Sequence, residues 1–248
     1  MRPSLAATVT IRWETPPGAY DVLFSTRRGG ISEGPFASLN LGMRTGDDPE
    51  HVVENRRRLC AESGSDPETA VMAHQQHGSE VRRAAAEGIV TPGAHHAPCD
   101  GLWSDEPGQA MLLLSADCLP IALARNDGPP ALAVLHAGWR GLLGGIVAEG
   151  AAALGGGRLA AIVGPAIGPC CYEVGPEVAG PFAEAFGADV VSGGSLDLPC
   201  AAERALRAAG AETVEQTGLC TSCHPELFFS HRRDGGRTGR QGVLAHVA

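Results

Sequence analysis

The chain has 248 residues, 44 % of them hydrophobic, enough to build a sizeable core and to exclude global disorder. Its 19 basic residues are all arginine, and the absence of lysine excludes Schiff-base chemistry and the lysine of a standard phosphate-binding P-loop. A net charge of −9 argues against a nucleic-acid-binding surface, and the lack of any long apolar run argues against a transmembrane helix.

Residues 1–18 carry Arg2, Arg12 and Glu14 and no apolar stretch of signal-peptide length, so a cytoplasmic location with no membrane association is expected. The eight cysteines are then expected to be reduced. Residues 9–13 alternate apolar and polar and read as a strand; 22–25 read as a second, running into the turn 26–30. Residues 49–62 read as a helix and 71–73 as a short strand. The Pro/Gly-rich stretch 91–100 reads as a loop. Residues 110–115, 121–124 and 131–136 form apolar runs of buried-strand type, the last two joined by a hairpin turn at Asn126-Asp127-Gly128-Pro129. Helical spacing covers 141–154; 159–163 read as a strand. Residues 176–186 and 199–209 read as helices opened by prolines, and the tail from Phe228 as strand-like. The expectation is a mixed α/β (α+β) fold in one domain, residues 1–248, without internal repeats.

Three segments set a reactive side chain at the end of an apolar run: Gln75-Gln76-His77-Gly78, Ala116-Asp117-Cys118-Leu119-Pro120 and His136-Ala137-Gly138-Trp139-Arg140-Gly141. Two imidazoles and a thiolate suit Zn²⁺ and leave a fourth position open, but their wide spacing requires tertiary structure to bring them together. Spacing alone leaves open a second arrangement. In it Cys118 is a nucleophile, His136 its base, and Asp117 orients the base without metal. Cys220-Thr221-Ser222-Cys223-His224 fits a haem-attachment pattern, yet no export signal accompanies it. Cys220 and Cys223 have the spacing of a redox pair or of half a zinc site. There is no second Cys-x-x-Cys, Cys170 and Cys171 being adjacent, so these four read as ordinary cysteines.

Taken together, the motifs resemble the YfiH-type proteins, long labelled multicopper polyphenol oxidase or laccase-domain proteins. The likeness runs nearly end to end. It includes Phe24-Ser25-Thr26-Arg27-Arg28-Gly29-Gly30, Ser38-Leu39-Asn40-Leu41-Gly42, Glu54-Asn55-Arg56, the three segments above, Gly164 to Val174, and Phe228-Phe229-Ser230-His231-Arg232-Arg233-Asp234, where the family more often has tyrosine at the position of His231. The resemblance implies a layered sheet-and-helix domain with His77, Cys118 and His136 as metal ligands. It further implies a zinc-dependent purine nucleoside phosphorylase acting on adenosine, inosine, guanosine and methylthioadenosine, with adenosine deaminase activity. Its other implication is a peptidoglycan editing hydrolase that removes L-serine from a muramyl precursor. The laccase label fits poorly: a multicopper oxidase needs a blue-copper site plus a trinuclear cluster, rich in His-x-His pairs. This chain has nine histidines and no such pair. Cu²⁺ can nevertheless replace Zn²⁺ on Cys/His ligands.

On this reading Cys118, His77, His136 and Asp117 are the candidate catalytic residues. Phosphate must be held by arginine, backbone amides or metal. Arg140, at the start of the helix in 141–154, is the leading arginine candidate, with Arg56 and Arg27 weaker; Asn40 and Gln75 are expected to hydrogen-bond ribose or base. Cys171 is expected near the pocket. The expected partners are a purine nucleoside and phosphate. A metal-free cysteine hydrolase and a non-catalytic metal-binding protein are the alternatives.

Overall fold

In chain order the elements are β1 (Thr10–Arg12), β2 (Tyr20–Ser25), α1 (Pro49–Ser63), β3 (Val71–Met72), β4 (Val81–Arg83), β5 (Gly101–Ser104), β6 (Met111–Ser115), β7 (Leu119–Arg125) and β8 (Leu132–Ala137). They continue with α2 (Trp139–Leu143), α3 (Ile146–Ala153), β9 (Leu159–Val163), α4 (Pro176–Phe186), β10 (Val191–Ser192), β11 (Ser195–Leu196), α5 (Leu198–Ala208), β12 (Ala211–Gln216) and β13 (Gln241–Val247). The computed structural model describes residues 10–91 and 97–248, so Val9 of the expected first strand and residues 92–96 of the expected loop lie outside the described residues.

Two sheets carry the fold. One has the order β1-β2-β13-β6-β3 and the other β12-β9-β7-β8-β5-β4; β10 and β11 pair separately. The period-2 alternation of strand side chains sorts residues into layers. Val22, Phe24, Met111, Leu113, Val243 and Ala245 face the second sheet, which answers with Ala122, Ala124, Leu132, Val134, Ala160 and Ile162. Their neighbours Leu23, Leu112 and Leu244 turn the other way and pack with Leu59 and Val53 of α1. On the far side, Leu119, Ile121, Leu123, Leu135, Leu159 and Ala161 meet helices α2 to α5. The result is α1, sheet, sheet, helices: four layers, the mixed α/β architecture expected. Gly164 makes room for the Phe24 ring between the sheets: a Cβ there would lie 2.4 Å from the ring.

Local chemistry explains most boundaries. Asp48 caps α1 by accepting from the Glu50 N–H, Pro49 occupies the first turn, and Gly64 ends the helix in the left-handed region. The expected hairpin is present, with β7 antiparallel to β8. The continuous helix expected over 141–154 is instead two, α2 and α3, because Gly145 adopts φ 86° and breaks the helical path. The tail is strand only from Gln241; before it, residues 228–240 form turns in which the Arg233 side chain donates to the carbonyls of Thr221 and Phe228. Strands β4 and β12, at the two edges of the six-stranded sheet, carry polar, exposed positions that hide the alternation. No helix among the described residues is long and apolar enough to cross a membrane.

Strand β6 belongs to the first sheet and β7 to the second. The chain therefore changes sheet at Ala116-Asp117-Cys118, and this seam positions the site. The seam rests on the inter-sheet core. Phe24→Ala is expected to cost about 3–5 kcal/mol of stability, read as a lower urea midpoint at unchanged slope. A loss under about 1 kcal/mol would show that the sheets close over the gap.

Candidate metal centre

Cys118 immediately precedes β7. His136 lies in β8 opposite Pro120 of β7, and His77 in the loop between β3 and β4. Strands that end at one seam thus deliver all three side chains to one place. One ligand atom from each lies within 4.8 Å of the others, and the two imidazole rings sit edge to face with centroids 4.9 Å apart. His136 is buried, Cys118 half-buried and His77 the most open.

Asp100, just before β5 and 1 % exposed, organises this group. Its Oδ1 lies 2.9 Å from His136 Nδ1 and accepts from the His77 N–H; its Oδ2 accepts from the N–H groups of Gln76 and Gly78. Three successive N–H groups converging on one carboxylate form an anion-binding concavity. The same carboxylate claims Nδ1 of His136 and leaves Nε2 as the ring nitrogen available to a metal, the usual outer-shell arrangement for a ligating histidine. His77 has φ 62° and Asp117 φ 89°, so two non-glycine residues of the site occupy the left-handed region. Such conformations cost roughly 1–3 kcal/mol each and persist where the surroundings impose them. Asp100 imposes the first. For the second, Asp117 Oδ1 accepts from the buried Thr221 hydroxyl at 2.6 Å and Oδ2 from the Arg232 N–H at 2.7 Å.

Close approach explains the glycines of the third motif. A Cβ on Gly138 would lie 3.1 Å from both Cys118 Sγ and His77 Cδ2, and one on Gly141 2.7 Å from the Gly78 carbonyl. Gln75 spends its whole amide on β6, donating to the Leu114 carbonyl and accepting from the Leu114 N–H, and so anchors the start of the His77 loop.

The electrostatics follow from these contacts. Burial alone would raise the Asp100 carboxyl, but the hydrogen bonds from His136, Gly78 and Gln76 outweigh it and hold the group below its ordinary value. Burial would likewise raise the Cys118 thiol; the charge of His136 and the hydrogen bonds of both histidines instead bring it down to about 6. For His136 burial opposes charging, and the adjacent Cys118 and Asp100 reverse this, lifting it to about 9. Between those values the metal-free group holds a thiolate and an imidazolium. A divalent cation takes the place of the imidazolium proton, so uptake releases protons. Two imidazole nitrogens and a thiolate, oriented from behind and open in front, fit a borderline-soft divalent metal.

The open side faces a cavity of about 710 Å³. Arg44, Arg56, Arg232 and Arg240 line it together with His74, His231 and Tyr172. Of the residues singled out in the sequence, the structure brings His77, Cys118, His136, Asp117, Gln75 and Arg56 to this cavity. The departure at His231 therefore falls on its wall. Asn40 is buried behind it, donating to Thr45 and Asp47 and accepting from the N–H groups of Gly42 and Arg240. Arg140 is exposed outside the cavity lining and stacks on the Trp139 ring at 4.2 Å. Arg27 stacks on Phe229 and donates to main-chain carbonyls, and Cys171 sits among other cysteines. Asp100, Tyr172 and Arg240 were not singled out in the sequence. A lone Asp-Gly pair beside a loop carries no signal of its own, and Arg240 becomes a wall residue only because β13 inserts between β2 and β6.

The chain belongs to the family described as multi-copper polyphenol oxidoreductase laccase, whose model matches residues 21–248. It is 38 % identical to the purine nucleoside phosphorylase YlmD of Geobacillus stearothermophilus, over 96 % of this chain and 93 % of that one. To the purine nucleoside phosphorylase YfiH of Escherichia coli it is 36 % identical, over 95 % of this chain and 97 % of the relative. The crystal structure of Geobacillus YlmD matches with a TM-score of 0.86 at 34 % identity, covering 98 % of each chain. That of Bacillus licheniformis YfiH gives 0.83 at 32 %, covering 92 % and 93 %. The four-layer fold is thus the YfiH-like fold.

Two outcomes test the geometry. Asp100→Asn removes the charged acceptor of His136 Nδ1 and sets an amide NH₂ against backbone N–H groups, so metal affinity is expected to fall about 10–100-fold in a chelator competition. In metal-free protein, alkylation of Cys118 followed by peptide mass spectrometry is expected to rise with pH through about 6. His136→Ala should move that midpoint up towards the free-thiol range near 8.5. An ordinary thiol midpoint in the parent protein would contradict the pairing.

Proposed function

We propose that the chain is a zinc-dependent purine nucleoside phosphorylase acting on adenosine, inosine, guanosine and methylthioadenosine. One observation carries the reading: the His77/Cys118/His136 trio opens onto a cavity whose four guanidiniums have no carboxylate ion-pair partner among the described residues. The donors of Arg56 go to the carbonyls of Leu41 and Ile89, and those of Arg240 to the carbonyls of Thr238 and Gly239. Cys118 and Asp117 act on Arg240 from a distance, but no carboxylate pairs directly with any of the four guanidiniums among the described residues, so they can receive an anion. Burial lowers the Arg56 guanidinium to about 10, which still leaves it charged at neutral pH. The names of the relatives support the same activity.

Zinc held by His77, Cys118 and His136 would supply Lewis acidity at the mouth of the ligand set. The arginines bind phosphate and set one oxygen towards C1′ of the ribose. A new C–O bond forms there as the C1′–N bond to the purine breaks. The bonding electron pair leaves with the base, which takes up the proton that hydrogen phosphate gives up, and the products are a free purine and ribose 1-phosphate, or 5-methylthioribose 1-phosphate from methylthioadenosine. Burial, followed by the nearby Cys118 charge, pushes the Tyr172 phenol up to about 12, so it stays a neutral ring and hydroxyl against the nucleoside. Met43 and Met72 supply adaptable apolar surface beside it. Both Asp117 oxygens already hold donors, so its part is to fix the Thr221 and Arg232 loops.

Adenosine with phosphate is expected to give adenine and ribose 1-phosphate. Inosine among the products would add the deaminase reaction, and absence of any free base would refute the phosphorylase assignment. Arg240→Ala is expected to raise KM for phosphate at least tenfold, about 1.4 kcal/mol, with KM for the nucleoside little changed. The Cys118–His136 pair also carries a second reading, a metal-free hydrolase of a muramyl-serine linkage. Full activity on that substrate in metal-free protein, lost in Cys118→Ala, would favour it. The same Cys/His ligands also take copper when it is supplied, which is compatible with the oxidase description of the family.

A further inference from the structure

A second group of metal-ligating side chains lies away from the cavity. The thiols of Cys170, Cys171, Cys220 and Cys223 all fall within 4.8 Å of one another, correcting the reading of Cys220 and Cys223 as a pair without partners. We propose that these four cysteines form a closed tetrathiolate zinc site that joins the loop after β9 to the loop after β12.

The geometry supports a shared cation. Cys223 Sγ lies 3.5 Å from Cys170 Sγ and 3.4 Å from Cys171 Sγ. Four sulfurs bound tetrahedrally at about 2.3 Å stand roughly 3.8 Å apart, so these separations match a metal cage and exceed the ~2.05 Å of a disulfide. All four cysteines are free. Core packing does not account for them, because Cys170 and Cys223 are exposed and the other two half-buried. Adjacent Cys170 and Cys171 can serve one ion because the chain turns there, the Cys171 N–H donating to the Gly168 carbonyl. On the facing loop, Cys220 bridges to Ala166, and the Thr221 N–H donates to the Ala166 carbonyl. The Gly168 N–H points at Cys220 Sγ at 3.3 Å, a donor that favours thiolate. Four sulfur ligands leave no open coordination position, the mark of a structural centre.

Its placement gives it a task. Tyr172, next to Cys171, lines the cavity, and Thr221, next to Cys220, donates to Asp117 beside Cys118. The tetrathiolate would therefore hold the wall behind the first metal centre without facing substrate. This inference does not depend on the nucleoside reading.

Metal analysis of protein purified from zinc-supplemented medium without chelator is expected to give two zinc ions per chain. The double variant Cys118→Ser, His136→Ala lies outside the cluster and should retain one. Its cobalt derivative should show the strong visible ligand-field bands and near-ultraviolet thiolate charge transfer of a four-sulfur site. Adding Cys223→Ser should abolish both. Should the Cys223→Ser protein fail to fold, the Cys118/His136 variant alone still decides. No metal and no thiolate spectrum in it, iron in place of zinc, or a disulfide among the four cysteines in freshly purified protein would each overturn the assignment. Absence of nucleoside cleavage in the parent protein, with the four-sulfur site intact, would count against the proposed function only.

Discussion

One buried carboxylate sets the geometry on which the candidate centre depends. Asp100 satisfies three consecutive N–H groups of the His77 loop and claims the Nδ1 of His136. Without it the loop has no reason to hold His77 at positive φ, and the ring of His136 has no reason to choose one orientation. Cys118 needs no such help. The strand-to-strand crossing places it directly, and the Ser115 hydroxyl fastens the crossing by donating to the Cys118 carbonyl.

The fold explains why such a centre can stand at a seam. Each sheet contributes strand ends to it, β3 and β6 from one and β7 and β8 from the other, while the alternation of large and small side chains between the layers holds those ends at fixed separation. Arginine does the rest. In a chain without lysine, the cavity wall is built from planar guanidiniums, three of which rest on main-chain carbonyls rather than on carboxylates.

Most of this was legible in the sequence where burial leaves a pattern. The runs at 110–115, 121–124, 131–136 and 159–163 are buried on both faces and read as apolar blocks, so their strands were found. Edge strands β4 and β12 show no such pattern because solvent on one side removes it, and the interior strand β5, four residues long, is too short to display one. The break between α2 and α3 leaves no trace in the pattern, since residues 143, 146, 147 and 154 keep helical spacing across Gly144-Gly145. Of the site, the motifs pointed to His77, Cys118 and His136, whose separation in sequence is bridged only by tertiary structure. Asp100 stayed hidden for the opposite reason: its importance lies entirely in backbone groups of a distant loop, which no side-chain pattern reports. The four cysteines near residues 170 and 220 carry no spacing signal, because their two pairs become neighbours only across the parallel contact between Ala166 and Cys220.

Strand β13 has a place at odds with its position in the chain. It lies between β2 and β6, paired to both, although it follows every other strand in sequence. The first sheet therefore stays split into two halves until Gln241–Val247 has left the ribosome, and the seam that gathers the ligands cannot close before then. Metal uptake at the trio would on this account come late: a growing chain exposes its thiols and imidazoles as scattered, weak donors, and they gather into one chelate only once β13 is in place.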